Sequence, residues 1–124
     1  MKVLVLGNGI IGKQVQVAAS SMGYDVATVD IKDATYNVDL RSQNEYADVL
    51  VDFQPTVIFN TAGKDQKLGD NASPLHSMDD KEWQDLFGHN TDLLFNVART
   101  SLGYFMNTKL DYKKLVFTPS TYSF

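Results

Sequence analysis

The sequence predicts an α/β fold: a doubly wound parallel sheet with strand order 3-2-1-4-5, built as a single domain over residues 1–124. Three observations predict it. Short apolar runs alternate with stretches of helical periodicity, which is the pattern of β-α-β units. The runs are continuous rather than alternating, as in strands covered on both faces of a parallel sheet. Finally, Gly7, Asp30, Asp39 and Asn60 each stand just after such a run, at the carboxyl edge where these sheets bind ligands.

The first strand is residues 3–6, Val-Leu-Val-Leu. Gly7, Gly9 and Gly12 follow in G-x-G-x-x-G spacing, and Ile11, Val15, Ala18, Ala19 and Met22 then recur on one helical face. Strand, glycine turn and helix together are the context in which this motif binds a dinucleotide. Gly7 permits the tight turn, Gly9 lets the backbone approach a pyrophosphate, and Gly12 lets the helix pack close to the strand. The unpaired N–H groups and dipole of the helix N-terminus favour an anion there. The expected cofactor contacts are therefore Gly7, Asn8, Gly9, Ile10, Ile11 and Gly12. The helix should run over residues 10–22 and stop at Gly23.

Residues 26–29 form the second strand, ending at Asp30, which with the next residue Ile31 is an expected cofactor contact. A carboxylate there accepts hydrogen bonds from the adenosine ribose and repels a 2′-phosphate, so the expected cofactor is NAD rather than NADP. Lys32 nearby works slightly against that exclusion. Residues 36–38 are a short third strand ending at Asp39-Leu40. A helix over 42–53 follows, with Tyr46, Val49, Leu50 and Phe53 on one face, and Pro55 closes it. Residues 56–59 are a fourth strand, expected to be buried on both faces, with Asn60, Thr61, Ala62 and Gly63 directly after it.

Residues 64–76 read as a long polar loop at the ligand edge, suited either to substrate binding or to plain surface. Ser77 reads as a helix N-cap paired with Asp80. One long helix follows, kinked near Gly88, with Trp83, Leu86, Phe87, Leu93, Leu94, Val97, Ala98 and Leu102 at helical spacing, ending at Gly103. Asn90 falls on that apolar face. It either ties helix to backbone or serves an active site. Residues 115–117 are the fifth strand, followed by the hydroxyl-rich ending from Thr118 to Phe124.

Composition narrows the function classes. With 44% hydrophobic and 21% charged residues, the chain has the makings of a folded domain. A net charge of −4 and the absence of a basic run exclude a generic nucleic-acid role. The lack of cysteine excludes disulfides and thiolate chemistry and fits a cytoplasmic location. The first apolar run is too short for a membrane span or signal peptide, so no membrane association is expected. His76 and His89 have no ligand spacing, and no metal is expected.

These residues resemble the short-chain dehydrogenase/reductase superfamily over essentially the whole chain. The stretch 52–63, DFQPTVIFNTAG, and the ending STYSF resemble its extended branch of sugar-nucleotide epimerases, dehydratases and deoxysugar reductases. The resemblance implies a Rossmann-like fold and an oxidoreductase or epimerase/dehydratase activity on a small-molecule substrate. It implies that Asp39-Leu40 contacts the adenine and that Asn60, Thr61, Ala62 and Gly63 support the sheet beside the cofactor. It further implies that Asn90 is the helix-borne active-site asparagine and Ser120 the catalytic hydroxyl, with Thr121 its neighbour.

Two features depart from that pattern. The glycine loop is one residue shorter than G-x-x-G-x-x-G. The family's Tyr-x-x-x-Lys pair, in which lysine brings the tyrosine toward a useful pKa, occurs nowhere in these 124 residues. Tyr104 and Lys109 have the wrong spacing, and no lysine follows Tyr122. The resemblance thus implies the cofactor-binding part of an enzyme, truncated before the pair and inactive alone. The alternatives are a stand-alone NAD-sensing module without catalysis, or a truncated product without function. The apolar fifth strand, left at a sheet edge, invites a homo-oligomer.

Overall fold

Val3, Leu4, Val5 and Leu6 are all buried, the last three completely, and they form the centre of the molecule. The computed structural model describes residues 1–63 and 75–118. Strand β1 (Lys2–Leu6) pairs in parallel with β2 (Asp25–Asp30) on one side and β4 (Val57–Asn60) on the other. The short β3 (Tyr36–Asn37) and β5 (Lys114–Phe117) pair outside these. The order is β3-β2-β1-β4-β5, as the sequence predicts. Five parallel strands in this order form a Rossmann-like α/β sheet.

Side-chain alternation divides the strands between two layers. Leu4, Leu6, Ala27, Val29 and Ile58 pack with helix α2 (Gln43–Phe53) and helix α4 (Leu93–Met106) in the larger core. Val3 and Val5 pack with Ala19 of helix α1 (Ile10–Ser21), joined by Val15, Val26 and Val57. The contact face of α1 is narrower than expected, because the small residues Gly12 and Ala19 let the helix lie close to the sheet. Ile11, Ala18 and Met22 are exposed, contrary to the periodicity reading. The helix stops where expected: Gly23, at φ +83°, continues the chain in the left-handed region.

Helix α2 follows its prediction closely. The Ser42 hydroxyl caps it by accepting from the Glu45 N–H, and Tyr46, Val49, Leu50 and Phe53 are buried. Gln54, left-handed at φ 57°, ends it before Pro55. Strand β4 is shifted by one residue to include Asn60. It is not covered on both faces: Val57 and Phe59 are only half-buried, since Phe59 and its partner Val116 lie on the layer occupied by α1 alone among the described residues.

The predicted long helix is divided. Helix α3 (Asp80–Phe87) leads through a π-helical turn (Gly88–Asp92) into α4, which passes Gly103 and ends at Met106. The N-terminal box uses Asp79 and Glu82, not Ser77 and Asp80: Glu82 N–H donates to Asp79 Oδ1 at 2.7 Å and Asp79 N–H to Glu82 Oε2 at 2.9 Å. Of the apolar positions expected in the core, Leu93 and Val97 are buried, whereas Trp83, Phe87, Leu94 and Leu102 are exposed. The five-residue π turn offsets the helical phase, so a count carried from Trp83 into α4 misplaces Leu94 and Leu102, while Trp83 and Phe87 precede the turn on a helix that buries no residue. Among the described residues no helix is long and apolar enough to cross a membrane.

Candidate functional site

The β1–α1 turn assigns each glycine a separate task. Gly7 has φ +92° and donates its N–H to the Val29 carbonyl at 2.7 Å. A Cβ on Gly12 would stand 2.0 Å from the Gly7 carbonyl oxygen, so helix and turn touch there. A Cβ on Gly9 would meet nothing within 4 Å. Gly9 is the N-cap of α1 and offers no side-chain cap, and the first turn of the helix carries no acidic residue. Its leading N–H groups are thus available to an anion, in open space beside Gly9.

Thr61 fastens the β4 turn to this loop. Its hydroxyl donates to the Leu6 carbonyl at 2.8 Å, as does its own N–H. Buried Asn60 accepts the Ala62 N–H on Oδ1 at 3.1 Å, and its carbonyl accepts the Thr118 hydroxyl at 3.2 Å. The Asn60-Thr61-Ala62-Gly63 turn is therefore braced from both sides, by side chains of its own strand end and by Thr118 just past β5.

Asp30 closes the other flank. Its Oδ2 accepts the Asn8 N–H at 2.8 Å and its Oδ1 the Ile31 N–H at 2.7 Å. Each oxygen retains acceptor capacity for a ligand hydroxyl. Past β3, Arg41 makes a two-pronged pair with Asp39, Nε to Oδ1 at 3.2 Å and Nη2 to Oδ2 at 3.1 Å. That carboxylate raises the Arg41 pKa above its ordinary value. The buried Leu40 is held by the Asn96 side-chain amide, which donates to its carbonyl at 2.6 Å.

These strand ends surround a cleft of about 350 Å³, lined by Gly7, Gly9, Asp30, Ile31, Val38, Asp39, Leu40, Arg41, Thr61, Ala62, Gly63 and Leu93. Nine of the expected cofactor residues lie in that lining. Asn8, Ile10, Ile11, Gly12 and Asn60 lie outside it: Gly12 and Asn60 are buried as supports, and Ile10 and Ile11 are exposed on the first turn of α1. Val38, Arg41 and Leu93 were missed by the sequence reading. Arg41 had a signal, an opposite charge two positions from Asp39. Leu93 had none, because α4 reaches the cleft only through tertiary packing.

Asn90 corrects an expectation. It is exposed on the π turn rather than buried on an apolar face, and its Oδ1 lies 3.3 Å from where a Gly63 Cβ would be. The turn thus brings it to the rim beside β4. Ser120 and Thr121 lie outside the described residues, as do residues 64–74 of the predicted loop.

The profile of the NAD dependent epimerase/dehydratase family matches residues 3–102. The chain belongs to that family. This epimerase/dehydratase domain has the fold of several solved structures. A UDP-glucose-4-epimerase from Stenotrophomonas maltophila, with bound NAD and formylated UDP-arabinopyranose, superposes with TM-score 0.74 at 20% identity, over 98% of this chain and 37% of that one. A UDP-rhamnose synthase from Acanthamoeba polyphaga mimivirus gives 0.73 at 15% identity, again over 98% and 37%. The Thermus thermophilus UDP-glucose 4-epimerase in complex with NAD gives 0.64 at 24% identity, over 84% and 34%. The chain thus spans roughly a third of the length of each of these structures. No curated protein sequence matches it.

Proposed function

We propose that this epimerase/dehydratase domain binds a nicotinamide dinucleotide across the carboxyl edge of its sheet, NAD in preference to NADP. The observation that carries the reading is the cleft bounded at one end by Gly7 and Gly9 before an uncapped helix and at the other by the Asp30 carboxylate. The residues suit the group: the space beside Gly9 receives the diphosphate, Asp30 accepts the ribose hydroxyls, and Ile31, Leu40 and the Asp39–Arg41 pair border the adenine. Bound there, the dinucleotide supplies a hydride acceptor or donor. NAD-bound relatives of the same fold support the reading.

Within a longer enzyme, Ser120 holds the substrate oxygen, Asn90 orders the rim beside Gly63, and a tyrosine from further protein moves the proton. The 124-residue chain holds no Tyr-x-x-x-Lys. It is expected to bind NAD and to turn over nothing, so an NAD-dependent rate from a homogeneous sample would overturn the division of labour. The β5 edge, an outer strand of the sheet among the described residues, is the proposed surface for a homo-oligomer, checked by the mass in solution.

The binding test is a calorimetric titration with NADH and then NADPH. Saturable binding that favours NADH, weakened by Asp30→Ala and by Gly9→Val, is the expected result. A folded chain that binds neither would overturn the reading.

A further inference from the structure

The turn after Asp30 is held unusually firmly for an exposed loop. Thr28 and Thr35 exchange hydrogen bonds, each N–H donating to the other's hydroxyl at 3.1 and 3.0 Å. The Ala34 N–H donates to Asn37 Oδ1 at 3.1 Å. Asp33 at the apex is left-handed, φ 56°, a conformation that an aspartate tolerates but does not favour. These ties set the shape of the turn. Its position over the glycine loop is set by Asn8, whose Nδ2 donates to the Asp33 carbonyl at 2.7 Å.

That bond fixes the orientation of the Asn8 amide, because the reverse orientation would set Oδ1 against the carbonyl. In this orientation Asn8 Oδ1 is buried and has no hydrogen-bond partner. A buried unsatisfied acceptor is costly, so stability alone does not account for an asparagine here. Its backbone has a second task, since the Asn8 N–H binds Asp30 Oδ2 at 2.8 Å. One residue thereby joins the glycine loop, the ribose-binding carboxylate and the turn that follows it.

We infer that Asn8 is a positioning residue for cofactor selectivity: its side chain latches the 31–34 turn against the glycine loop while its N–H holds the Asp30 carboxylate that opposes a 2′-phosphate. The inference rests on the dinucleotide reading above. Asp30 opposes the phosphate by charge, and the latch keeps both that carboxylate and the turn carrying Lys32 in place. With the latch removed, the hold on Asp30 loosens and Lys32, the one cation of the turn, is expected to contribute to binding the added phosphate.

The test compares the wild-type chain with Asn8→Ala and Asn8→Leu. The leucine keeps the bulk of asparagine and removes the donor. Circular dichroism first establishes that each variant is folded, and NADH and NADPH are then titrated against all three proteins. Both variants are expected to lower the ratio of the NADPH to the NADH dissociation constant by roughly fivefold, the equivalent of one ordinary hydrogen bond. Amide exchange is expected to accelerate at positions 8 and 31, whose N–H groups are held on Asp30, while the Ala34 and Thr35 amides, bonded within the turn, and those of β1 and β4 stay protected. An unchanged ratio in both variants, with NADH still bound, would overturn the latch and leave the dinucleotide reading intact. A wild-type ratio in Asn8→Leu alone would overturn it too, by showing that bulk suffices. A folded wild-type chain that binds neither nucleotide would overturn both.

Discussion

A Cβ on Gly12 would stand 2.0 Å from the Gly7 carbonyl oxygen, and one on Gly9 would have nothing within 4 Å. The two glycines therefore separate folding from binding. Gly12→Ala must push α1 off the sheet and should cost about 3 kcal/mol, at the upper end of overpacking penalties, measured by urea unfolding. Gly9→Ser has room in the protein and a good capping side chain, so its stability should stay within about 0.5 kcal/mol of the parent. The same substitution should weaken NADH at least tenfold in a titration, because the new side chain enters the space proposed for the diphosphate. The glycine spacing was legible because its causes, a positive φ and a close approach, act between residues a few positions apart. Arg41 and Leu93 were not, because their place in the cleft depends on β3 and α4 arriving from elsewhere.

At the scale of elements, α2 and α4 are joined by a polar contact inside an apolar layer. The Tyr46 hydroxyl and Ser101 Oγ lie 2.7 Å apart, and both residues are fully buried. Tyr46→Phe or Ser101→Ala alone strands the remaining hydroxyl and should cost about 1–3 kcal/mol. The double variant should cost less than the two singles added together, and a double-mutant cycle by denaturant unfolding measures the difference. Strict additivity would show that the pair is uncoupled. Helix α2 was readable from end to end, since its cap, apolar face and terminating proline all lie within its own sequence. The α3–α4 segment was not. Its capping box lies two residues past the one expected at Ser77, and the π turn at 88–92 shifts the phase of everything after it. Local periodicity carries no mark of such a turn.

For the molecule as a whole, the tyrosines govern behaviour in alkali. A hydrogen bond to Asp52, with smaller contributions from burial, pushes the Tyr36 pKa up to about 12. Burial pushes Tyr46 up as well, against a smaller opposing effect from Ser101. Both are raised above the value near 10 that an unfolded tyrosine has, so the folded state favours the neutral phenol. Their contribution is complete below about pH 10 and is lost as the pH rises through the folded values. The melting temperature should therefore fall steeply above about pH 10. Tyr46→Phe should flatten that fall more than Tyr36→Phe, because the Tyr36 ring is half-buried but its hydroxyl bond to Asp52 is exposed and screened by solvent. A pH series of thermal melts decides it, and equal slopes in all three proteins would refute the assignment.

The sequence by itself determined the class of fold, the strand order, the glycine turn and the residues that gather at the carboxyl edge. Each rests on interactions between near neighbours or on the regular handedness of β-α-β connections. Tertiary structure alone decided which face of each helix is covered, since a periodic apolar stripe does not say what lies opposite it. Ile11 and Met22 on α1, and Trp83, Phe87, Leu94 and Leu102 on α3 and α4, are exposed for that reason. It also decided the walls of the cleft and the latch between Asn8 and Asp33. These join residues that only the pairing of β1 with β2 and the packing of α4 bring within reach.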